Sequence, residues 1–298
     1  MPGLFFILFP LYITFMEVIL ADVLGYCFGV RRAVDTATLT LENNNGNKVY
    51  SLGPLIHNQV ALEMLSEKGL CVLKDDNLEN VEAGSKVIIR AHGVPPETLK
   101  KIEENNCEVI NATCPKVLAS QKNAAKYAAM GYTVILAGDR NHGEVVGIAG
   151  YAGKKFILIE NCSDAEKLPL FSADENVVLL SQTTFSREEF RGISEILQKK
   201  AQNLKVMDTI CSATRERQEA LEALCPKVDG VLVVGGKNSA NTKRLFQIAR
   251  TNCKHAAFIE TADEIPEEYY LLDKIGITAG ASTPDSVIQS VVARLTKK

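Results

Sequence analysis

Three cysteines, three histidines and one glutamate in this 298-residue chain recur in a pattern that can do chemistry. Cys27 opens the stretch CFGV, Cys114 opens CPKV and Cys211 opens CSAT. A polar loop follows each cysteine: HNQ at His57, NHGE at His142 and NSANT at Ser239, lying 30, 28 and 28 residues downstream. A second loop follows in turn, RAHG with His92, SQTT with Thr183 and AGAS with Ser282, at 65, 69 and 71 residues from the same cysteines. Such agreement marks one unit used three times. Equivalent positions of a three-fold repeat can meet on its axis.

Three thiolates gathered on an axis suit a cubane iron-sulfur cluster whose fourth iron has no protein ligand and can act as a Lewis acid. Zinc on three cysteines is the competing reading, although a structural zinc normally fills its fourth position with protein. Cys71, Cys107, Cys162, Cys225 and Cys253 fall outside the repeat and read as inert small hydrophobes. The eight cysteines are too sparse for a disulfide scaffold and none stands in CxxC spacing, so a reducing, cytoplasmic compartment is expected.

Three of the four histidines lie in the polar loops, whereas His255 lies outside the pattern and reads as structural. Loops of Ser, Asn, Thr and Gly ahead of helices offer N–H groups to a phosphate or diphosphate. For any single loop, plain helix capping explains the composition equally well. Glu144 is the one carboxylate within the six loop segments and stands two residues after His142. A carboxyl beside a metal group and a phosphate site reads as a proton donor, with a capping or surface role as the alternative.

The elements that must position these groups are legible from periodicity. Ala33 to Leu41, Lys116 to Met130 and Ala213 to Leu224 have helical apolar spacing, while VYSLG, TVILAG and GVLVVGG read as buried strands. Helix-start signals follow the second loops: Pro95 and Pro96 before Glu97, Ser186 three before Glu189 as a capping box, and Thr283 before Pro284 and Asp285. Alternating strands and helices require parallel sheets with right-handed crossovers and ligands beyond the strands' carboxyl ends. The expected fold class is α/β: three similar small lobes with parallel sheets in a pseudo-three-fold, trefoil-like arrangement around a central cluster. Expected boundaries are 28–113 for lobe 1, 114–210 for lobe 2, and 211–298 with 16–27 for lobe 3.

Composition excludes several classes. A net charge of -3 gives no basic footprint for nucleic acid and no polybasic run for an anionic membrane, and 46% hydrophobic residues supply a packed core. The run Leu4 to Phe15 is apolar, but no Lys or Arg precedes it and Pro10 interrupts it. Glu17 and Asp22 follow before it reaches the roughly 20 residues of a membrane span. Met16 is the preferred start, since MEVILAD reads as a first strand leading to the Cys27 loop; residues 1–15 are otherwise a genuine hydrophobic extension.

Taken in order, GYCFGVRRA, IHN, RAHGV, NATCPKV, HGEV, SQTT, ICSATRERQEA, GGKNSAN and TAGAS closely resemble the 4-hydroxy-3-methylbut-2-enyl diphosphate reductase (IspH/LytB) family, from Met16 to the C-terminus. The resemblance implies one 4Fe-4S cluster on Cys27, Cys114 and Cys211 with an open fourth iron. It implies a substrate diphosphate held by His57, His92, His142, Ser239, Asn241 and Ser282, with the backbone N–H of Ala240 as a further contact. Glu144 would donate the proton, Thr183 would relay it beside the substrate hydroxyl, and His142 would stand next to both. The implied reaction is reductive dehydroxylation of (E)-4-hydroxy-3-methylbut-2-enyl diphosphate to isopentenyl and dimethylallyl diphosphate, the last step of the methylerythritol phosphate isoprenoid pathway. Electrons would arrive singly from reduced ferredoxin or flavodoxin.

The chain departs from the family pattern in places. Ala240 replaces a serine, losing one hydroxyl contact worth on the order of 1 kcal/mol. Gly143 stands where many members have proline, and Leu24 and Tyr26 replace residues commonly Arg and Phe. Two other functions fit the cysteines: a three-lobed cluster lyase of the quinolinate synthase kind, against which Glu144 and the SAN motif argue, and an iron or redox sensor that binds no diphosphate.

Overall fold

The computed structural model describes residues 16–73, 78 and 81–296. The apolar run up to Phe15, and with it the choice between an extension and a start at Met16, lies outside the described residues.

Three four-stranded sheets, all parallel, organise the chain. The first holds β2 (Val49–Leu52), β3 (Leu70–Leu73), β4 (Lys86–Ile89) and β5 (Glu108–Asn111) in the order β3-β2-β4-β5. The second holds β6 (Thr133–Ala137), β7 (Phe156–Ile159), β8 (Asn176–Ser181) and β9 (Asn203–Val206) in the order β7-β6-β8-β9. The third repeats the order as β11 (His255–Ile259), β10 (Gly230–Val234), β12 (Lys274–Ala279) and then β1 (Glu17–Leu20). Its fourth strand therefore comes from the chain's N-terminal part, with Val18 in register with Ile275.

The inner strands β6, β8, β10 and β12 are buried almost throughout because helices cover both sheet faces, which is why they read as unbroken apolar runs rather than alternating ones. Each lobe has two core clusters, one per face. In lobe 2, Ile135, Leu179 and Phe190 pack on one side and Val134, Leu180 and Ile148 on the other. Each such fully buried side chain contributes roughly 1.5–3 kcal/mol by transfer from water.

The edge strands β1, β5 and β9 each run into one of the cysteines, and the helix after that cysteine packs on the sheet of the next lobe. These helices are α1 (Phe28–Glu42), α4 (Pro115–Ala129) and α8 (Ser212–Leu224), with Cys27, Cys114 and Cys211 as their N-caps. The three cysteines thus sit at the three crossings between lobes, and the three-fold arrangement brings them together.

Helix-start signals act largely as read. Pro95 caps α3 (Pro96–Glu104), and the Ser186 hydroxyl accepts the Glu189 N–H at the start of α7 (Arg187–Gln198). The other half of the expected capping box does not form, because the Glu189 carboxylate accepts instead from the Cys162 N–H at 2.6 Å, at the start of α6 (Cys162–Lys167). Two cysteines also correct their expected role: Cys225 and Cys253 are joined as a disulfide rather than standing as separate small hydrophobes. They lie at the C-terminal ends of α8 and α9 (Ala240–Asn252), and their 28-residue separation carries no local signal of pairing.

Candidate active site

In the order β3-β2-β4-β5, the connection from β2 to β3 and that from β4 to β5 run in opposite directions, so a crevice opens above the carboxyl ends of β2 and β4. The same crevice recurs above β6 and β8, and above β10 and β12. His57 and His92, His142 and Thr183, and Ser239 and Ser282 follow these six strand ends in pairs. All of them line one cavity, together with Cys27, Cys114, Cys211, Glu144, Ala240 and Asn241. Every residue singled out from the sequence is therefore at one place.

The cysteines are free thiols, each half-buried at a helix N-terminus. The Cys27 sulfur accepts the Val30 N–H at 3.5 Å, while Cys114 makes no capping hydrogen bond and only has the Lys116 and Val117 N–H groups nearby. Burial pushes the Cys114 thiol up while those N–H groups pull it down, and the nearby Cys27 and Cys211 push it up again. Three soft thiol donors with helix N-termini behind them are a set whose chemistry suits a soft metal or an iron-sulfur group. Their three sulfurs do not all fall within 4.8 Å of one another, whereas ligands on one zinc, at about 2.3 Å from the metal, would. The spread fits a body larger than a single ion.

Gly29, the second residue of α1, is what permits the approach of lobe 1 to this triad: a Cβ there would collide with the Cys114 sulfur. A similar approach joins lobes 1 and 3, where a Cβ at Gly236 would collide with the His57 carbonyl and the Ser282 hydroxyl donates to that same oxygen at 3.1 Å.

The same cavity is lined by polar groups whose chemistry suits an anion. The rings of His57, His92 and His142 stand 4.4, 5.4 and 5.2 Å apart, centre to centre. His142 caps α5 (Gly143–Ala149), its Nδ1 accepting the Glu144 N–H at 3.2 Å, so its neutral ring carries the proton on Nε2. That nitrogen is a donor. A metal ion would need it bare, so an anion suits His142 better although the three rings offer nitrogens within 4.8 Å. Asn241 is buried with neither amide atom partnered, and His92 Nδ1 is likewise buried without a partner. Buried polar atoms are rarely left so unless a ligand completes them.

The first turns of several helices are also free of acids. Acidic residues favour the first turn of a helix by about 0.3–1 kcal/mol each, yet α1, α4, α8, α9 and α2 (Gln59–Glu67) have none. These five helices begin at the cysteines and at the loops carrying His57 and Ser239. The helices that follow the His92, His142, Thr183 and Ser282 loops do carry first-turn acids, Glu97, Glu144, Glu188 with Glu189, and Asp285. Negative charge at those five termini is left to come from elsewhere.

Burial lowers all three histidines: His57, then His92 well below its ordinary value with help from its two neighbours, and His142 to about 4. They are neutral in the free protein near pH 7. A diphosphate placed among them favours the imidazolium forms, so binding takes up protons and tightens as pH falls below neutrality. Calorimetry in two buffers of different ionisation enthalpy measures this directly, and binding without proton exchange would refute it.

Glu144 is 2% exposed. The Thr183 N–H donates to Glu144 Oε1 at 2.6 Å and the Thr183 hydroxyl donates to Oε2 at 2.7 Å. Burial pushes its carboxyl up, Thr183 pulls it down, and the balance is a pKa of about 7. An acid half-protonated at neutral pH, bonded to a hydroxyl that also faces the cavity, is equipped to deliver a proton.

This geometry can be set beside known proteins. Residues 18–296 match the LytB protein family. The chain belongs to that family. The 4-hydroxy-3-methylbut-2-enyl diphosphate reductase of Treponema denticola is 46% identical over 282 residues, covering 92% of this chain and 97% of that one. The enzyme of the same name from Caldanaerobacter subterraneus subsp. tengcongensis is 41% identical over 281 residues, covering 94% and 96%. Among solved structures, the E-1-hydroxy-2-methyl-but-2-enyl-4-diphosphate reductase of Plasmodium falciparum superposes with a TM-score of 0.89 at 29% identity, covering 95% of this chain and 88% of that one. A second, (E)-4-hydroxy-3-methyl-but-2-enyl diphosphate reductase, the terminal enzyme of the non-mevalonate pathway, gives 0.70 at 38% identity, covering 95% and 100%.

The positions noted above as departures implied by the resemblance, Gly143, Ala240, Leu24 and Tyr26, have structural counterparts. A Cβ at Gly143 would stand 3.1 Å from the Arg90 guanidinium, so glycine makes room for a cation that pushes all three histidines toward neutrality. Ala240 is the first residue of α9, where a backbone N–H has no intrahelical partner. Leu24 packs into the core of lobe 3 and Tyr26 into that of lobe 1, its ring under the Arg31 guanidinium. The Asp139 and Arg244 pair, whose two contacts of 3.0 and 3.2 Å tie the His142 loop to α9, has no local signal 105 residues apart. Burial pushes Asp139 up, but Arg244 outweighs it and holds the carboxyl below its ordinary value.

Proposed function

We propose that this chain reduces (E)-4-hydroxy-3-methylbut-2-enyl diphosphate to isopentenyl and dimethylallyl diphosphate, as the last step of the methylerythritol phosphate route. The observation that carries the reading is the meeting, in one cavity, of three free thiols, a donor-lined anion pocket and a buried carboxyl near neutrality. Cys27, Cys114 and Cys211 would hold a 4Fe-4S cluster, which when bound supplies a Lewis-acidic iron and the reducing electrons.

The residues of this chain do the rest. His57, His92 and His142 donate to diphosphate oxygens, and Ser239, Asn241, Ser282 and the Ala240 N–H complete the pocket. With the diphosphate anchored there, the allylic hydroxyl reaches toward Thr183 and the cysteines. Glu144 passes its proton through the Thr183 hydroxyl to the departing oxygen, which leaves as water when the carbon–oxygen bond breaks. Two electrons and a second proton, delivered to carbon, complete the balance. A small carrier such as reduced ferredoxin or flavodoxin supplies the electrons one at a time. The proposed compartment is the cytoplasm, supported by the free thiols of Cys27, Cys114 and Cys211, although the Cys225–Cys253 disulfide is unusual there; among the described residues no helix is long and apolar enough to cross a membrane.

The test is anaerobic reconstitution with iron and sulfide, followed by turnover of the hydroxymethylbutenyl diphosphate with a chemical reductant. Both C5 diphosphates are expected. Cluster-loaded protein that binds the diphosphate but yields neither would overturn the reading, and loaded protein with no diphosphate affinity would point to a sensor.

A further inference from the structure

Arg217 is 3% exposed, yet its hydrogen-bond partners are carbonyl oxygens and not carboxylates. Its Nη2 donates to the Gly25 carbonyl at 2.6 Å, in the loop that leads from β1 to Cys27. Its Nη1 donates to the Ala213 carbonyl at 2.7 Å, in the first turn after Cys211. Its Nε is buried with no acceptor. A buried cation is costly unless negative charge faces it. Burial lowers its pKa, and the groups placed to offset that are the Cys27 and Cys211 sulfurs, with Glu216 a smaller influence.

We propose that Arg217 is a positioning residue for the cysteine triad: it fixes the Cys27 loop against the Cys211 helix and supplies a buried positive charge to the anionic group the thiolates would hold. The proposal rests on the iron-sulfur reading above and adds to it a residue that touches neither substrate nor the reacting oxygen. Two consequences separate the roles. The clamp governs how firmly iron is retained, because groups behind metal ligands commonly shift affinity by about 10- to 100-fold. The charge governs redox balance, because adding an electron to an anionic group is easier beside a fixed cation.

The experiment uses the full chain, reconstituted anaerobically, with Arg217→Met and Arg217→Lys beside the parent. Iron release to a ferrous chelator and the midpoint potential of the bound group are measured, with melting of the metal-free proteins as a control on folding. The Met variant is expected to release iron about tenfold faster or more and to show a lower midpoint potential. The Lys variant retains the charge but not the two-carbonyl fork, so its potential stays near the parent's while its iron release remains faster. Parent-like release and potential in the Met variant would overturn the proposal. Should that variant not fold, parent-like iron release in the Lys variant would overturn it equally. A parent chain that takes up no cluster would instead overturn the iron-sulfur reading, before Arg217 is considered.

Discussion

Glu144→Gln is expected to lower turnover by about 10²- to 10⁴-fold while leaving diphosphate affinity within a few fold. Glutamine keeps the shape, accepts the Thr183 N–H through its carbonyl and lets the Thr183 hydroxyl accept from its amide, so both bonds at Glu144 survive with one reversed. Only the transferable proton is lost. The parent's turnover should also fall as pH rises past about 7, where Glu144 ionises, and the variant's residual turnover should lack that limb. Steady-state rates across pH decide the matter, and turnover within threefold of the parent would remove Glu144 from the mechanism.

The same group carries a stability signature of definite sign. Its native pKa of about 7 lies above the ordinary value of 4.5, so the native state holds a proton that the unfolded chain has released. The stabilisation from the neutral, buried carboxyl is complete below pH 4.5 and fades as pH rises through about 7. Glu144→Gln, neutral throughout, should melt no lower than the parent on the alkaline side, which also separates loss of catalysis from loss of fold.

Gly29→Ala is the second large effect expected. By helix propensity alone, alanine at the second position of α1 is neutral to stabilising by up to about 1 kcal/mol. Its methyl group would nevertheless occupy the space of the Cys114 sulfur. The substitution should therefore leave the metal-free fold intact and abolish cluster uptake, with activity following. Iron content and visible absorbance after reconstitution, beside the melting of the metal-free protein, measure the two separately. Normal iron content in the variant would show that the close approach of α1 to Cys114 is not needed.

Much of this protein was determined locally and could be read from its residues. The three lobes follow from strand and helix periods repeating after Cys27, Cys114 and Cys211, because parallel strands demand helical crossovers and place their following loops at one end. His57, His92, His142, Thr183, Ser239 and Ser282 were legible for that reason: each follows an inner strand at a crevice dictated by strand order.

What only the tertiary structure decided depends on groups that sequence spacing does not relate. Arg217 and Gly25 are 192 residues apart and meet because β1 completes the sheet of the last lobe. Gly29 faces Cys114 across a lobe boundary, and Cys225 joins Cys253 only because α8 and α9 pack side by side. Glu189 abandoned its expected cap for the Cys162 N–H, 27 residues away. The pKa of Glu144 belongs here too. A glutamate's position is written in the chain, but its desolvation is the work of every lobe that closes over it, and that desolvation turns an ordinary carboxylate into an acid poised at neutrality.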